Sequence, residues 1–211
     1  MGHGSCLPPH CPSSPLLTHP QSKPLSDPFD AILSLQGVSW FKRKALAFAS
    51  ITIRVRQFLI PPASPPPTLD LSPSDEVVQI EIEQLISPGG LKNRESRILN
   101  WEESENDDDT FGLMSGRSKW VGKGDGEWGS LDEWLREGWL VEGRDGPLAG
   151  EKEQEWILST ARNEKNAWSV EGVWGFQEIG GERYHCRKLV TRKGDVVLRT
   201  RLVYEWVKEH I

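Results

Sequence analysis

The chain has 211 residues, of which 36% are hydrophobic and 27% are charged, a balance that allows one domain with a modest core and a solvated surface. Its formal net charge of -6 argues against a nucleic-acid partner, because phosphate binding needs a clustered excess of Lys and Arg. No stretch approaches the roughly 20 apolar residues that cross a bilayer, so membrane insertion is not expected. With 3 cysteines and no secretory leader pattern, the sequence predicts a cytoplasmic protein with reduced thiols, and we expect a monomer.

Residues 1–25 form a proline-rich segment without apolar periodicity. Such a segment cannot bury enough surface to offset the entropy of ordering, so a disordered tail is predicted. The tail contains two histidines and two cysteines whose spacing matches no closed zinc site, namely His3, Cys6, His10 and Cys11. We therefore expect no metal there, and no cofactor elsewhere in the chain.

Two short helices are predicted after the tail. Ser26 or Asp27 can cap the first, with Pro28 at its first position and Gly37 as its stop. The second helix spans 40–49, where apolar residues recur at helical spacing.

Alternation of apolar and polar residues predicts strands along the rest of the chain. In chain order the predicted strands cover 51–58, 78–82, 93–101, 110–114, 115–121, 155–161, 167–179, 182–191 and 196–207. Three stretches between them are interpreted as a proline-rich inserted loop, an acidic turn and an elaborated Gly-rich, acidic loop. They cover 60–75, 102–109 and 122–152.

The last of these loops also contains a helix signal. Ser130-Leu-Asp-Glu133 resembles a capping box, so a short helix with Leu131, Trp134 and Leu135 turned inward is the alternative to an irregular loop. Taken together, short helices followed by eight or more antiparallel strands in meander order favour a mainly β, up-and-down barrel of the calycin type at 26–208.

Several blocks carry a family resemblance. Residues 29–33, 37–40, 43–45 and 51–57 resemble the helix-turn-helix lid and following strand of fatty-acid-binding-protein-like barrels. More closely, the chain resembles a family of fungal lipocalin-like proteins through blocks that lie at 99–101, 111–112, 116–120, 173–176 and 201–206. The resemblance implies the barrel fold more directly than any activity.

The chain departs from this family pattern in two places. Barrels of this kind begin with a Gly-x-Trp strand before the helices, where this chain has its proline-rich tail. In addition, the insert at 60–75 interrupts what is ordinarily a simple hairpin. Both segments are hypothesised to be gene-model artefacts or lineage insertions, and loss of the first strand predicts a barrel with an open edge.

A barrel of this size encloses either packed side chains or one small ligand. Arginine and tyrosine would orient a polar head, and aromatic residues would form walls. The candidate ligand-contacting residues are Trp40, Arg97, Trp101, Arg117, Trp120, Trp174, Phe176, Tyr184, Arg201 and Tyr204. Ordinary core packing also explains the tryptophans, and we prefer that interpretation for them.

The spacing on the last strand bears on how a ligand head would be held. Fatty-acid-binding relatives hold a carboxylate with an Arg-x-Tyr pair, whose two side chains share one face of a strand. Here Arg201 and Tyr204 are three residues apart, so they should point to opposite faces unless a bulge intervenes. The sequence therefore casts doubt on a carboxylate clamp of that kind.

No motif of the chain indicates a specific enzyme. His185 and Cys186 are adjacent, so on a strand they face opposite ways and cannot act as a nucleophile and base pair. The preferred hypothesis is non-catalytic binding of a small apolar or amphipathic molecule. The alternatives are a barrel-type isomerase or cyclase of fungal secondary metabolism that uses Tyr184, Arg187 or Glu178, and an interaction protein with a filled barrel.

Overall fold

A computed structural model describes residues 17–60, 77–140 and 156–205 of the chain. Within those ranges the structure is mainly β, with two antiparallel sheets and a few short helices. The strands are β1 (Leu17–Pro20), β2 (Ser50–Ile60), β3 (Val77–Ser87), β4 (Leu91–Ile98), β5 (Ser104–Asp108), β6 (Gly112–Val121), β7 (Trp156–Asn163), β8 (Trp168–Ile179), β9 (Glu182–Lys193) and β10 (Val196–Tyr204). The helices are α1 (Asp30–Leu35), α2 (Trp40–Phe48), α3 (Gly126–Ser130) and α4 (Glu133–Arg136).

The strands follow one another as a meander. The first sheet has the order β1-β2-β3-β4 and the second has the order β10-β9-β8-β7-β6-β5. Within each sheet every strand pairs with its neighbours in the chain, which confirms the predicted antiparallel order, and the break between the sheets falls between β4 and β5. The inserted loop predicted at 60–75 lies, apart from Ile60, outside the described residues, and β2 and β3 meet on either side of it through the pair Ile60 and Val77.

The N-terminal segment corrects the prediction of a tail that is disordered through residue 25. Its residues 17–25 belong to the fold, and β1 pairs with β2 along its whole length. The backbone N–H of Gln21 donates to the carbonyl of Ile51, and the N–H of Ser22 donates to the carbonyl of Val203, each at 2.8 Å. The proline-rich composition led to a wrong prediction of disorder here. The edges of the two sheets supply hydrogen-bond partners for the segment, which it could not provide by itself. Residues 1–16 lie outside the described residues.

The same segment lies where an open edge was expected from the missing family strand. β1 continues past β2 toward β10, where Gln21 and Tyr204 form an isolated bridge and the N–H of Glu205 donates to the carbonyl of Pro20 at 2.8 Å. The two sheets are thus joined by backbone hydrogen bonds on this side. A segment without the Gly-x-Trp pattern takes the place of the first strand, because backbone pairing does not depend on those side chains.

The chain joins the two sheets a second time just after β4. The N–H of Leu99 still donates to the carbonyl of Val78 in the first sheet, at 2.8 Å, whereas the N–H of Trp101 donates to the carbonyl of Ser118 in the second sheet, at 2.9 Å. Trp101 makes this crossing with a positive φ of 62°. The third predicted strand therefore ends three residues early, because the backbone turns from one sheet to the other.

The first helix begins later than its capping signals predict. α1 starts at Asp30, and Ser26 and Asp27 bind the last strand instead of the helix. The N–H of Val203 donates to Oγ of Ser26 at 2.9 Å, and the N–H of Arg201 donates to Oδ2 of Asp27 at 2.7 Å. These side chains satisfy β10, so tertiary pairing overrides the local capping preference. The second helix agrees with its prediction to within one residue.

The acidic turn predicted at 102–109 is wrong, because the stretch contains strand β5. It pairs with β6 at the edge of the second sheet, and its chain reverses at Asp108, whose Oδ1 accepts from the N–H groups of Thr110 and Phe111. The hairpin predicted around Ser115 and Gly116 is consequently absent from the described residues: β6 runs through both as one strand. Exposed edge strands need no apolar alternation, so the sequence pattern offered no signal for β5.

The second sheet has buried residues on both faces. Part of its outer face is covered by the segment 122–140, which contains α3 and α4 and turns Leu131 and Leu135 inward as the capping-box alternative predicts. The cap itself is Asp132, which accepts from the N–H of Trp134 at 3.1 Å. The buried outer cluster consists of Val121, Trp128, Leu131, Leu135, Trp156, Leu158, Val173 and Val190. The remainder of the predicted loop, at 141–152, lies outside the described residues.

A separate cluster lies between the two sheets. Its buried members are Ile53, Ile80, Ile82, Leu99, Trp174 and Tyr204, with Val55, Val78, Trp120, Ile157 and Leu202 packed against them. None of the helices in the described ranges has the length and apolar character needed to cross a membrane.

Candidate functional site

The inner faces of the two sheets meet in an apolar cluster that also contains charged groups. Strand alternation places Ile53, Ile80 and Ile82 inward from the first sheet, and Trp174 and Tyr204 inward from the second. All five are 5% exposed or less. Burying an unpaired charge in such surroundings costs free energy. The charged groups of this cluster are therefore candidates for a functional role.

One polar chain crosses from the first sheet to the second. Arg97 on β4 forms an ion pair with Glu95 of the same strand. Its Nη1 donates to Oγ of Ser118 at 3.2 Å, and that hydroxyl is 3.0 Å from Oγ of Ser159 on β7. Both serines are buried. This chain fixes the Arg97 guanidinium with its carbon Cζ 5.2 Å from the ring centroid of Trp174.

A second guanidinium lies against the same indole. Arg187 on β9 pairs across the sheet with Trp174 on β8 and with Leu202 on β10. Its Cζ lies 3.8 Å from the ring centroid of Trp174 and 5.6 Å from that of Tyr204. The side chain is 7% exposed, and its Nε and Nη2 have no hydrogen-bond partner among the described residues. Burial lowers the pKa of Arg187 and raises that of Tyr204, yet an arginine remains charged at neutral pH.

Two histidines lie beside this guanidinium. The rings of His19 on β1 and His185 on β9 are 5.1 Å apart, and the ring of His185 is 5.7 Å from those of Phe176 and Tyr204. Burial lowers the pKa of both histidines, and the positive charge of Arg187 lowers both further. Both are therefore neutral at pH 7.

The structure brings part of the predicted set of ligand-contacting residues together. Arg97, Trp120, Trp174 and Tyr204 belong to or line the inter-sheet cluster. Phe176 lies at its margin, against His185. These five come from four strands and meet because each points to the inner face of its sheet.

The other five predicted residues lie elsewhere. Trp40 is 56% exposed at the start of α2. The hydroxyl of Tyr184 donates to Glu182 at an exposed site. Trp101 packs on the outer cluster, where the guanidinium of Arg117 lies 4.1 Å from its ring centroid. Arg201 points away from Tyr204, as its spacing predicts, because it pairs with Lys188 on the outer face.

The predicted ligand-contacting set leaves out several groups of the site, among them His19 and Glu95, and Arg187 was predicted only as a residue of the isomerase or cyclase alternative. For Arg187 a signal existed, because the Lys193-Gly194-Asp195 turn sets the register of β9 and β10 and pairs Arg187 with inward-facing Leu202. The sequence offered no comparable signal for Glu95 or His19, since their positions depend on how the two sheets come together.

Arg117 also borders a cleft of about 570 Å³ that opens on the outer face of the second sheet. Within it Arg162 pairs with Glu103, and Arg192 pairs with Glu171. These two ion pairs are exposed or half-buried, so they do not supply the unpaired buried group that marks the inter-sheet cluster.

Comparison with known proteins finds relatives along most of the chain. Pericyclase pydY of an Acremonium species is 28% identical over 188 residues, which are 87% of this chain and 86% of that protein. Probable pericyclase scpY of Mollisia scopiformis is 27% identical over 184 residues, covering 87% of this chain and 84% of the relative. No protein-family model matches the chain.

Among solved structures, the chain is similar to As-p18, an extracellular fatty acid binding protein. The likeness covers 90% of this chain and 94% of the other, with a TM-score of 0.44 and 13% sequence identity.

Proposed function

We propose that this chain is an enzyme that promotes a pericyclic reaction of an apolar small molecule bound between its two sheets. The sequence alone favoured non-catalytic binding and kept a barrel-type cyclase of fungal secondary metabolism as an alternative. The two relatives support that alternative, because both are named as pericyclases and both match along nearly their whole length.

The proposal includes a closed, calycin-type barrel as the container. Backbone hydrogen bonds join the sheets through Gln21 and Ser22 on one side and through Trp101 on the other. A closed cylinder would seal the inter-sheet cluster from water except at its ends. Exclusion of water strengthens every electrostatic interaction inside such a site.

The chemistry of a pericyclic reaction suits this arrangement. Bonds form and break within one substrate through a cyclic transition state, so no group is transferred to the protein. The protein contributes by holding the substrate in its reactive conformation and by stabilising charge that develops in the transition state. Rigid apolar walls supply the first effect, and fixed hydrogen-bond donors supply the second.

One observation carries the proposal: the buried guanidinium of Arg187 lies over the ring of Trp174 in the inter-sheet cluster, and its Nε and Nη2 have no hydrogen-bond partner among the described residues. In the proposed mechanism Trp120, Trp174 and Phe176 form the walls around the substrate. Arg187 polarises the reacting system as a hydrogen-bond donor, and Arg97 is held by Glu95 and Ser118 as a second positive group.

The proposal is tested with the full chain and a panel of linked diene–dienophile compounds. Loss of the starting compound and the ratio of product isomers are followed by chromatography. We expect faster cyclisation than in buffer and one dominant stereoisomer. Trp174→Leu should lose most of the acceleration, whereas Phe41→Leu, on exposed helix α2, should retain it.

Cyclisation at the buffer rate with the buffer ratio of isomers, for every compound tested, would overturn the enzyme proposal. If the compounds bind under those conditions, as judged by quenching of tryptophan fluorescence, the chain is a non-catalytic binding protein.

A further inference from the structure

Among the described residues, the inter-sheet cluster contains one positive charge more than its negative charges can balance. Its charged groups are the guanidinium groups of Arg97 and Arg187 and the carboxylate of Glu95. Glu95 pairs directly with Arg97 and reaches Arg187 only as a longer-range attraction. The neighbouring histidines are neutral at pH 7, so they do not change this balance.

The unbalanced charge is also the group with free donors. Nε and Nη2 of Arg187 have no acceptor in the part of the chain that the structure describes, although the residue is 93% shielded from solvent, being 7% exposed. A buried guanidinium with two open N–H groups matches a carboxylate or another delocalised oxyanion, which can accept both bonds side by side. Leaving such donors unmet costs stability, which folded proteins tolerate mainly where the group serves a function.

The neighbours of Arg187 define the rest of the ligand. Its guanidinium is backed by the ring of Trp174, and the buried residues of the first sheet that complete the cluster are apolar, including Ile53, Ile80 and Ile82. Arg187 can therefore bind an acceptor group at one end of a ligand. The surrounding apolar residues can contact the rest of the ligand if it is apolar.

We propose that the substrate of this site is an amphipathic molecule with an apolar, unsaturated body and one acidic oxygen group, which binds as its anion at Nε and Nη2 of Arg187. This inference rests on the proposed function for the site it uses and for the unsaturated body. The recognition of the anion is a binding property and can be measured without turnover.

The site differs from an Arg-x-Tyr clamp on the last strand. Arg201 of that strand points to the outer face, and the interior guanidinium comes from β9. The acidic group would therefore lie over the β8–β9 pair, beside Trp174, rather than at β10 alone.

The test uses the full chain and two matched pairs of fluorescent or absorbing probes. The first pair is cis-parinaric acid, a conjugated tetraene carboxylic acid, and its methyl ester. The second pair is a 2-alkanoyl-1,3-cyclohexanedione, which ionises to an enolate, and its O-methyl ether. We expect the anion of at least one pair to bind about 10- to 100-fold more tightly than its neutral partner, the size expected for a charge-assisted hydrogen bond.

Variants assign the preference to one side chain. Arg187→Gln should reduce the anion preference to within about 3-fold of unity, and Arg187→Lys should retain part of it, because the charge remains while the paired donor geometry is lost. Arg56→Gln, an exposed arginine on the outward face of β2, should keep the full preference. The ratio of anion to neutral affinity within one variant is independent of the fraction of protein that is folded.

The pair that shows the preference tells whether the acidic group is a carboxylate or an enolate. Equal affinity for anion and neutral partner in both pairs, lack of binding by every probe, or an anion preference that survives in Arg187→Gln would overturn the inference. Anion preference without accelerated cyclisation would reject the enzyme proposal alone, and accelerated cyclisation without anion preference would reject the substrate class alone.

Discussion

Arg187 and Lys188 are neighbours on β9 that point to opposite faces of the same sheet, and their surroundings differ in one decisive respect. Both are buried cations beside an indole: Cζ of Arg187 lies 3.8 Å from the ring centroid of Trp174, and Nζ of Lys188 lies 4.2 Å from that of Trp134. Nζ of Lys188 donates to the carbonyls of Trp134 and Glu137 at 2.6 and 2.8 Å. Arg187 has two donors without acceptors among the described residues.

The contrast separates two uses of a buried charge. On the outer face, the ammonium ties the segment containing α4 to the sheet, and backbone carbonyls repay the desolvation that lowers the pKa of Lys188. On the inner face, Nε and Nη2 of Arg187 have no acceptor among the described residues, so they can donate to a ligand between the two sheets. A satisfied charge of this kind holds structure together, whereas an unsatisfied one is available to a ligand.

The largest predicted effect is a difference in the free energy of unfolding between variants of Lys188 and variants of Arg187. Lys188→Met removes the donor to two backbone carbonyls, and we expect the free energy of unfolding to fall by about 2–4 kcal/mol. Arg187→Met replaces an unpaired buried charge with an apolar side chain of similar length, so it should be neutral or stabilising by about 1 kcal/mol. Urea unfolding followed by tryptophan fluorescence measures both. Equal losses in the two variants would mean that Arg187 is a structural cation like Lys188.

The second prediction tests the packing of the outer cluster. A Cβ added at Gly175 would lie 2.6 Å from Cδ1 of Trp156 and 3.1 Å from Cε3 of Trp139. Gly175→Ala should therefore destabilise the protein by about 1–3 kcal/mol, because neither indole can move without disturbing the cluster. Gly124→Ala is the control: nothing lies within 4 Å of the added Cβ, so thermal unfolding should change little. A neutral Gly175→Ala would indicate that the outer cover packs loosely.

The third prediction concerns the histidines of the inner face. Their pKa values lie below the ordinary value of 6.5, because burial and the charge of Arg187 disfavour protonation in the folded state. Between the folded and unfolded pKa values the unfolded chain binds more protons, so stability is lost as the pH falls below about 6.5. Each unit by which a folded pKa is lowered corresponds to about 1.4 kcal/mol lost at acidic pH. Urea unfolding at pH 7.5 and pH 5.5 measures this dependence.

His185→Asn is the matching variant for the pH experiment. It removes a titrating group from the inner face, so the loss between pH 7.5 and 5.5 should become smaller. The pKa of Asp132 is lowered by its hydrogen bond from Arg199, and carboxylates of this kind lose their contribution at more acidic pH, outside the window measured. A pH dependence identical in the variant and the parent would contradict the burial of a neutral His185.

The local sequence pattern predicted much of the strand content. It failed for strands that form only because a neighbouring strand offers hydrogen-bond partners. The alternation in 51–58, 182–191 and 196–207 led to β2, β9 and β10, because a half-buried strand leaves a period of two in its sequence. β1 and β5 leave no such trace, since one is a proline-rich segment held by edge hydrogen bonds and the other is an acidic edge strand.

The candidate site shows the same division. Alternation correctly separated Arg201 from Tyr204, and Trp120 and Trp174, which were chosen for their aromatic side chains, lie in or against the inter-sheet cluster. The aromatic content also directed attention to Trp40, which the structure leaves exposed on α2. Residue type alone cannot distinguish an inward tryptophan from an outward one on a short helix, because both faces of such a helix can be left without a partner.

By itself, the sequence determined that this is a mainly β chain and which residues of each strand share a face, because side-chain direction in a strand follows from the backbone alone. Only the tertiary structure decided that Arg97 from β4 and Arg187 from β9 meet at Trp174, and that Nε and Nη2 of Arg187 find no acceptor in the described part of the chain. Whether a side chain is buried and hydrogen-bonded depends on residues from other strands that pack against it. The sequence of its own segment does not contain that information.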